Sequence, residues 1–333
     1  MLRVKFQDMR DEFERVLLKY EFTPSRARVC ARVFAENSLE GIYSHGANRF
    51  PRFINDVRAR RVIVSAEPEK MSWAGAFEQW NGKFGPGILN ALMCADRAME
   101  LAKQFGIGCV GLAHTNHWMR GGTYGRKVAN AGYIYIGWTN TIPNMPAWGA
   151  LDNKLGNNPL VLGVPAKDGP IVLDMAMTQF SYGKMEDLAM NDKQLPIHGG
   201  FNKYGQFTTD PKEILKTGRP LSVGYWKGAG LSLLLDIMAA VLSGGLASFQ
   251  IGQQDAEFDV SQVFIVFDTT NLINSRRISS LVRHIIKDYK DSTPESEKTG
   301  IIYPGERVLR TRKENLEKGI PVNASLWEKI KAL

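Results

Sequence analysis

The chain has 333 residues, 44% hydrophobic, 23% charged and 10% aromatic, a globular balance that excludes disorder, collagen and coiled coil and suffices for one large or two linked domains. Basic residues outnumber acidic ones by 42 to 34, giving a formal charge of +8 that attracts anions at long range. The excess is spread along the chain without finger spacing, a basic tail or a recognition helix, so a small anionic substrate or a phosphate-bearing cofactor explains it as well as nucleic acid does, and nucleic acid is not the expected partner.

Residues 5–20 place Phe6, Met9, Phe13, Val16, Leu17 and Tyr20 at helical spacing. Thr23-Pro24 then reads as an N-cap and first-turn proline of a second helix, whose buried stripe is Ala27, Cys30, Ala31, Phe34 and Ala35. Segment 36–45 continues or follows it. Arg49, Phe50, Arg52, Phe53 and Val57 recur at helical intervals, and Pro51 requires that helix to start beside it or bend there. Residues 1–70 therefore read as a helical domain, completed by C-terminal helices within 307–333.

The character changes at Glu67-Pro68-Glu69, and 71–306 reads as an α/β domain. A strand is expected within 71–80 and a helix from Gly85-Pro86-Gly87 to Gly106. Strands follow at 107–113, 133–139, 160–165 and 171–175, with a helix at 123–131 between the first two. Next come a helix at 181–191 and a Gly- and Asn-rich excursion at 198–216. The apolar run 228–249 carries Asp236 near its middle and reads as a buried central helix of a soluble protein, not a membrane span. A strand at 262–267, a charged helix at 276–290, a polar linker at 291–298 and helices near 307–318 and 323–332 finish the chain. This alternation indicates a mixed α/β fold around a sheet buried on at least one face.

The cysteines, Cys30, Cys94 and Cys109, are too dispersed for a zinc motif or disulfide scaffold, and no metal is expected. The reducing cytoplasm is the expected compartment, and the charged N-terminal stretch lacks the apolar core of a signal peptide.

Several runs carry chemistry. Gly106-Ile107-Gly108-Cys109-Val110-Gly111 satisfies G-x-G-x-x-G, but a helix precedes it and a strand follows, the reverse of the order a dinucleotide fingerprint needs. It reads instead as a helix stop and the start of a strand. His114-Thr115-Asn116-His117-Trp118-Met119-Arg120-Gly121-Gly122 leaves the carboxyl end of an apolar strand, where open α/β sheets collect ligands. His117 can exchange a proton near neutrality or hold a structural hydrogen bond; Arg120 can hold a carboxylate or knit the loop together.

In Tyr43-Ser44-His45-Gly46-Ala47-Asn48-Arg49, Arg49 lies one turn beyond His45. A histidine there can address a carbonyl while the arginine neutralises a carboxylate, or His45 caps a helix whose arginines dress its surface. Asp174 ends a strand and can meet a ribose hydroxyl or cap a helix. Lys227 opens a helix among small residues, as an anion site or as half of an internal ion pair.

With Pro146-Ala147-Trp148-Gly149, Gly156-Asn157-Asn158-Pro159-Leu160 and Gly224-Tyr225-Trp226-Lys227-Gly228, these runs make the whole chain resemble the malate/L-lactate dehydrogenase-like family of nicotinamide oxidoreductases. The resemblance implies a non-Rossmann, sulfolactate-dehydrogenase-like cofactor domain beside a helical domain, in a homodimer whose active site is completed at domain and subunit boundaries. It places cofactor contacts on Pro170, Ile171, Val172, Leu173, Asp174, Met175 and Ala176, on Trp226 and Lys227, and on the turn Gly305, Glu306 and Arg307.

In the branch acting on diketo sugar acids the proton donor matches His45; in the ureidoglycolate branch the acid/base histidine matches His117. The implied reaction is hydride transfer from NADH, or NADPH, to the C2 carbonyl of a small anionic 2-oxo sugar acid. Arg49 is the candidate for its carboxylate, with Arg52 or Arg120 in reserve. The alternative is a malate-type, L-lactate-type or other 2-hydroxy acid dehydrogenase of the same family.

Overall fold

The computed structural model describes residues 2–270, 272–273, 277–296 and 300–333. The chain opens with β1 (Leu2–Val4), α1 (Phe6–Lys19) and α2 (Pro24–Leu39), the last with Thr23 at its N-cap and Pro24 in its first turn. Of segment 36–45, read as continuing or following the second helix, residues through Leu39 continue α2 and Tyr43–His45 follow as a 3-10 turn, and α3 (Phe50–Arg58) starts with Pro51 in its first turn. Proline is tolerated there because the first-turn amides have no partner within the helix.

The expected strand at 71–80 is a hairpin of β2 (Glu69–Ala74) and β3 (Phe77–Asn81). Then follow α4 (Gly87–Phe105), β4 (Ile107–Thr115), α5 (Gly122–Asn130) and β5 (Ile134–Thr139). The short strands β6 (Met145–Pro146) and β7 (Asn153–Leu155) pair with each other ahead of β8 (Leu160–Val164) and β9 (Ile171–Met175). Beyond α6 (Tyr182–Met190), the excursion at 198–216 holds a small hairpin, β10 (Gly200–Phe201) with β11 (Phe207–Thr208), and most of α7 (Pro211–Thr217). The chain continues through α8 (Trp226–Ser243), α9 (Ser248–Ile251), β12 (Val260–Phe267) and α10 (Ile278–Lys290). It ends in α11 (Glu306–Lys318), β13 (Ile320–Val322) and α12 (Ala324–Lys331). Arg276, read as the start of α10, and linker residues 297–298 lie outside the described residues.

Seven strands form one mixed sheet in the order β2-β3-β4-β12-β5-β8-β9, with β3 and β4 parallel and the other neighbours antiparallel. Alternate residues feed two cores, as the period of two requires. Val110, Leu112, Tyr135, Phe264 and Val266 pack with α4 and α5 on one face. Cys109, Ile136, Trp138, Val263 and Ile265 pack with α8 on the other. A third core joins α1 to α3 with Ile320, Val322, Trp327 and Ile330, and β1 pairs with β13, so the two chain ends share one apolar cluster.

The G-x-G-x-x-G run explains itself in this layering. Gly106 ends α4 at φ +84. A Cβ on Gly108 would stand 2.1 Å from the Ala98 carbonyl oxygen, and one on Gly111 2.2 Å from that of Leu242. The two glycines let α4 and α8 press onto opposite faces of β4.

The expectation of a buried central helix is corrected for α8. Gly228, Ala229, Ser232, Leu235, Ala239 and Ser243 are buried, while Leu233, Leu234, Ile237, Met238 and Val241 are 38–69% exposed. A small-residue stripe lets one side lie close to the sheet; because the other side is equally apolar, hydropathy alone reads burial all round. The helix is long and apolar enough to cross a membrane by length and composition. Asp236 is no lone carboxylate: it accepts hydrogen bonds from Asn140 Nδ2 at 2.9 Å and Ser248 N–H at 2.8 Å.

Candidate active site

His45 is set by the end of α2. Asn37 Nδ2 donates to the His45 carbonyl at 3.0 Å, and Ser38 Oγ accepts the Ala47 N–H at 2.8 Å. Gly46 lies against that serine, where a Cβ would come within 2.1 Å of Oγ. His117 comes from the loop after β4. Buried Asn116 donates to the carbonyls of Arg61, Phe84 and Gly85 at 2.8–3.1 Å, and a Cβ on Gly87 would meet the Asn116 carbonyl oxygen at 2.2 Å. Two separately anchored loops thus bring the imidazoles together, ring centroids 5.6 Å apart and planes at 25°.

The two rings are not equivalent. His117 Nδ1 accepts the Met119 N–H at 2.9 Å, made possible by a left-handed Met119 at φ +66, so the neutral ring carries its proton on Nε2. His45 Nδ1 shares a hydrogen bond with Ser44 Oγ at 3.0 Å, and Nε2 has no hydrogen-bond partner among the described residues. Burial, then the charges of Arg49 and Arg120, lower the His45 pKa from 6.5 to about 4. Burial followed by Arg49, His45 and Arg52 holds His117 well below its ordinary value.

Arg49 lies beside this pair, and its Nη2 is 3.7 Å from Glu257 Oε1. The same oxygen is 3.9 Å from His117 Nε2. Burial and neighbouring Arg52 lower the Arg49 pKa; Arg52 itself is exposed. Sequence reasoning did not single out Glu257. The signal present was a run of three acidic residues, Asp255, Glu257 and Asp259, in the loop feeding β12.

Arg120 is engaged elsewhere. Its guanidinium pairs with buried Glu40 and lies 3.6 Å from Asp174. Glu40 also meets Arg126 at 2.5 Å and Arg312 at 2.9 Å, tying α2, α5 and α11 together. Asp174 accepts the Gly122 N–H at 2.8 Å and so caps α5, while burial raises its pKa against the pull of Arg120. An open groove of about 870 Å³ lies nearby between α2, α4 and α5, lined by Arg32, Asp96, Arg97 and Glu100 among others and by no histidine.

The segments named as cofactor contacts adjoin one another. Gly305, at φ +93, backs onto β9, where a Cβ would lie 3.2 Å from the Val172 nitrogen and 3.6 Å from the Pro170 carbonyl oxygen. The chain just past Met175 and Ala176 is bonded to the lead-in of α8: Val223 N–H donates to the Met177 carbonyl and Gln179 N–H to the Leu221 carbonyl. That places Trp226, 63% exposed, and exposed Lys227 at the first turn of an 18-residue helix. Ile171 and Leu173 are half-buried in β9; Glu306 pairs with Lys290 at 2.5 Å, and Arg307 is exposed. Left-handed glycines, an open indole, a free helix N-terminus and a lysine fit a flat, anionic dinucleotide.

Residues 4–331 match the family described as malate/L-lactate dehydrogenase. The 2,3-diketo-L-gulonate reductases of Citrobacter koseri and Pasteurella multocida are each 41% identical to the chain over the full length of both partners. Among solved structures, sulfolactate dehydrogenase from Methanocaldococcus jannaschii superposes with a TM-score of 0.91 at 25% identity, covering 99% of this chain and 96% of that one. Malate dehydrogenase from Pyrococcus horikoshii gives 0.88 at 28%, covering 98% and 93%. A histidine pair beside an arginine, next to a dinucleotide-suited surface on a non-Rossmann sheet, therefore has its counterpart in sequence: the chain belongs to the malate/L-lactate dehydrogenase family of NAD(P)-dependent oxidoreductases.

Proposed function

We propose that the protein reduces 2,3-diketo-L-gulonate to 3-dehydro-L-gulonate, with NADH as reductant and NADPH as the second cofactor to assay. The full-length 41% identity to reductases of that name carries the choice of substrate. The site supports it with an anion-binding arginine beside two histidines.

Bound reduced nicotinamide supplies the hydride. The substrate's C1 carboxylate pairs with Arg49, with Arg52 at the exposed rim, and this sets the C2 carbonyl against the imidazoles. His45 Nε2 gives the proton to the oxygen at C2 as negative charge grows there, and His117 Nε2–H, fixed in its tautomer by Met119, hydrogen-bonds the same oxygen. The depressed pKa of His45 fits this sequence. A carboxylate arriving on Arg49 offsets one of the charges that keep the ring neutral in the free protein, so substrate binding itself loads the acid. Hydride to C2 and proton to oxygen balance as one two-electron reduction. Pro170 to Ala176, Trp226, Lys227 and the turn Gly305, Glu306 and Arg307 would hold the cofactor.

The working form in this reading is a cytoplasmic homodimer. The outward apolar stripe of α8 supports the second copy, and three unpaired cysteines support the reducing compartment. A panel of 2-oxo acids assayed with both reduced cofactors tests the assignment. The sugar acid should exceed pyruvate and oxaloacetate in kcat/KM by more than about tenfold; parity with either moves the assignment to a lactate- or malate-type dehydrogenase.

A further inference from the structure

Glu257 has no part in the proton or hydride steps, yet its side chain is only 10% exposed and lies within 4 Å of two site residues. Its loop is pinned on both sides of it. Asp255 pairs with Arg61 at 2.7 Å, Asp259 with His114 Nδ1 at 2.8 Å, and Phe258 packs its ring against Phe84. Both approaches of its carboxylate, 3.7 Å to Arg49 and 3.9 Å to His117, are longer than a hydrogen bond, and it accepts none from the described residues. A buried carboxylate held among donors with unused lone pairs is an acceptor awaiting a donor.

The local charge points the same way. Glu257 is the carboxylate that faces both Arg49 and His117, so a second substrate carboxylate reaching past Arg49 would meet a like charge already in place. We propose that Glu257 determines specificity: it accepts a hydrogen bond from a hydroxyl of a polyhydroxylated monoanion and excludes dicarboxylates by like-charge repulsion. The hydroxyl part rests on the sugar-acid reading above; the exclusion of dicarboxylates does not.

The test compares wild type with Glu257→Gln, Glu257→Ala and Glu257→Asp, each checked for folding by circular dichroism. The readout is the ratio of kcat/KM for oxaloacetate to that for pyruvate. Any disturbance of Arg49 acts on the C1 carboxylate of both acids and cancels in this ratio. Removing the charge should raise it by about tenfold in both the Gln and Ala variants, because juxtaposed like charges discriminate by kcal/mol rather than tenths. The Asp variant should keep the wild-type ratio, and Glu257→Ala should lower kcat/KM for 2,3-diketo-L-gulonate more than for pyruvate. An unchanged ratio in folded Gln and Ala variants overturns the proposal. Failure of the wild type on the sugar acid overturns the substrate reading instead, and the small-acid ratio still decides Glu257.

Discussion

At His117 the backbone decides the tautomer, and from that follows the division of labour in the site. A ring whose Nδ1 already accepts the Met119 amide loses that bond on taking a second proton; His45 has no such restraint beyond a hydroxyl that can turn. His45→Asn should therefore lower turnover by about 10²- to 10⁴-fold with cofactor affinity retained, and His117→Asn by less, with a larger rise in KM. Steady-state kinetics on both variants check this, and reversed magnitudes would reassign the donor.

The charge environment gives a second prediction at the same scale. Arg49 depresses the His45 pKa, and reduction needs the ring protonated, so kcat/KM falls as pH rises through that pKa. In Arg49→Gln the fall should move to higher pH while KM rises for every 2-oxo acid; a pH profile fixed in place would remove Arg49 from the pair. Stability follows the same group. Between about 6.5, its unfolded value, and about 4, its folded one, the unfolded chain holds a proton that the folded chain lacks. Stability is thus lost as pH falls through that window, and urea midpoints of His45→Asn should decline less steeply there.

Both histidines and Arg49 were legible in the sequence, because histidine and arginine one turn apart and histidine in a strand-end loop are local patterns. Glu257 was not, since it reaches the site from a loop after α9 fixed by contacts to Arg61 and His114, both distant in sequence. Arg120 shows the converse. Its sequence neighbours suggest a ligand, but its partner Glu40 lies 80 residues away and only folding reveals it.

Among the elements, the order helix, glycine run, strand was enough to reject the dinucleotide fingerprint, and the structure supplies the reason for its glycines. Gly106→Ala places a side chain at positive φ in open space, costing about 1–2 kcal/mol without touching the surface at Val172 and Gly305. Titration should show unchanged cofactor affinity in Gly106→Ala and about tenfold weaker binding in Lys227→Ala, which loses one charge-assisted contact. A selective loss in the first or none in the second would relocate the cofactor.

Helix α8 was harder to read, because apolar residues on both sides erase the periodicity that separates a helix buried all round from one with an exposed apolar stripe. Charging its outer stripe with Leu234→Glu and Val241→Glu should convert a dimer to a monomer in sedimentation velocity at little cost to protomer stability, since both positions are exposed. A wild type that sediments as a monomer would refute the second copy.

Across the whole molecule, the alternation of strands and helices indicated a mixed sheet, yet no local pattern could give the order of its strands. β12 enters between β4 and β5 from more than 120 residues downstream, and that insertion brings Glu257 to the histidines. By the proposed reaction, the assembled site should direct a hydride to C2 of a diketo sugar acid. Incubation with NADH carrying deuterium at the transferable C4 position, followed by mass spectrometry and NMR of the product, tests it most directly. The expected product is 3-dehydro-L-gulonate with one deuterium at C2; a product without deuterium, deuterium at another carbon, or no conversion of 2,3-diketo-L-gulonate while oxaloacetate or pyruvate takes up the label would contradict the proposed reaction.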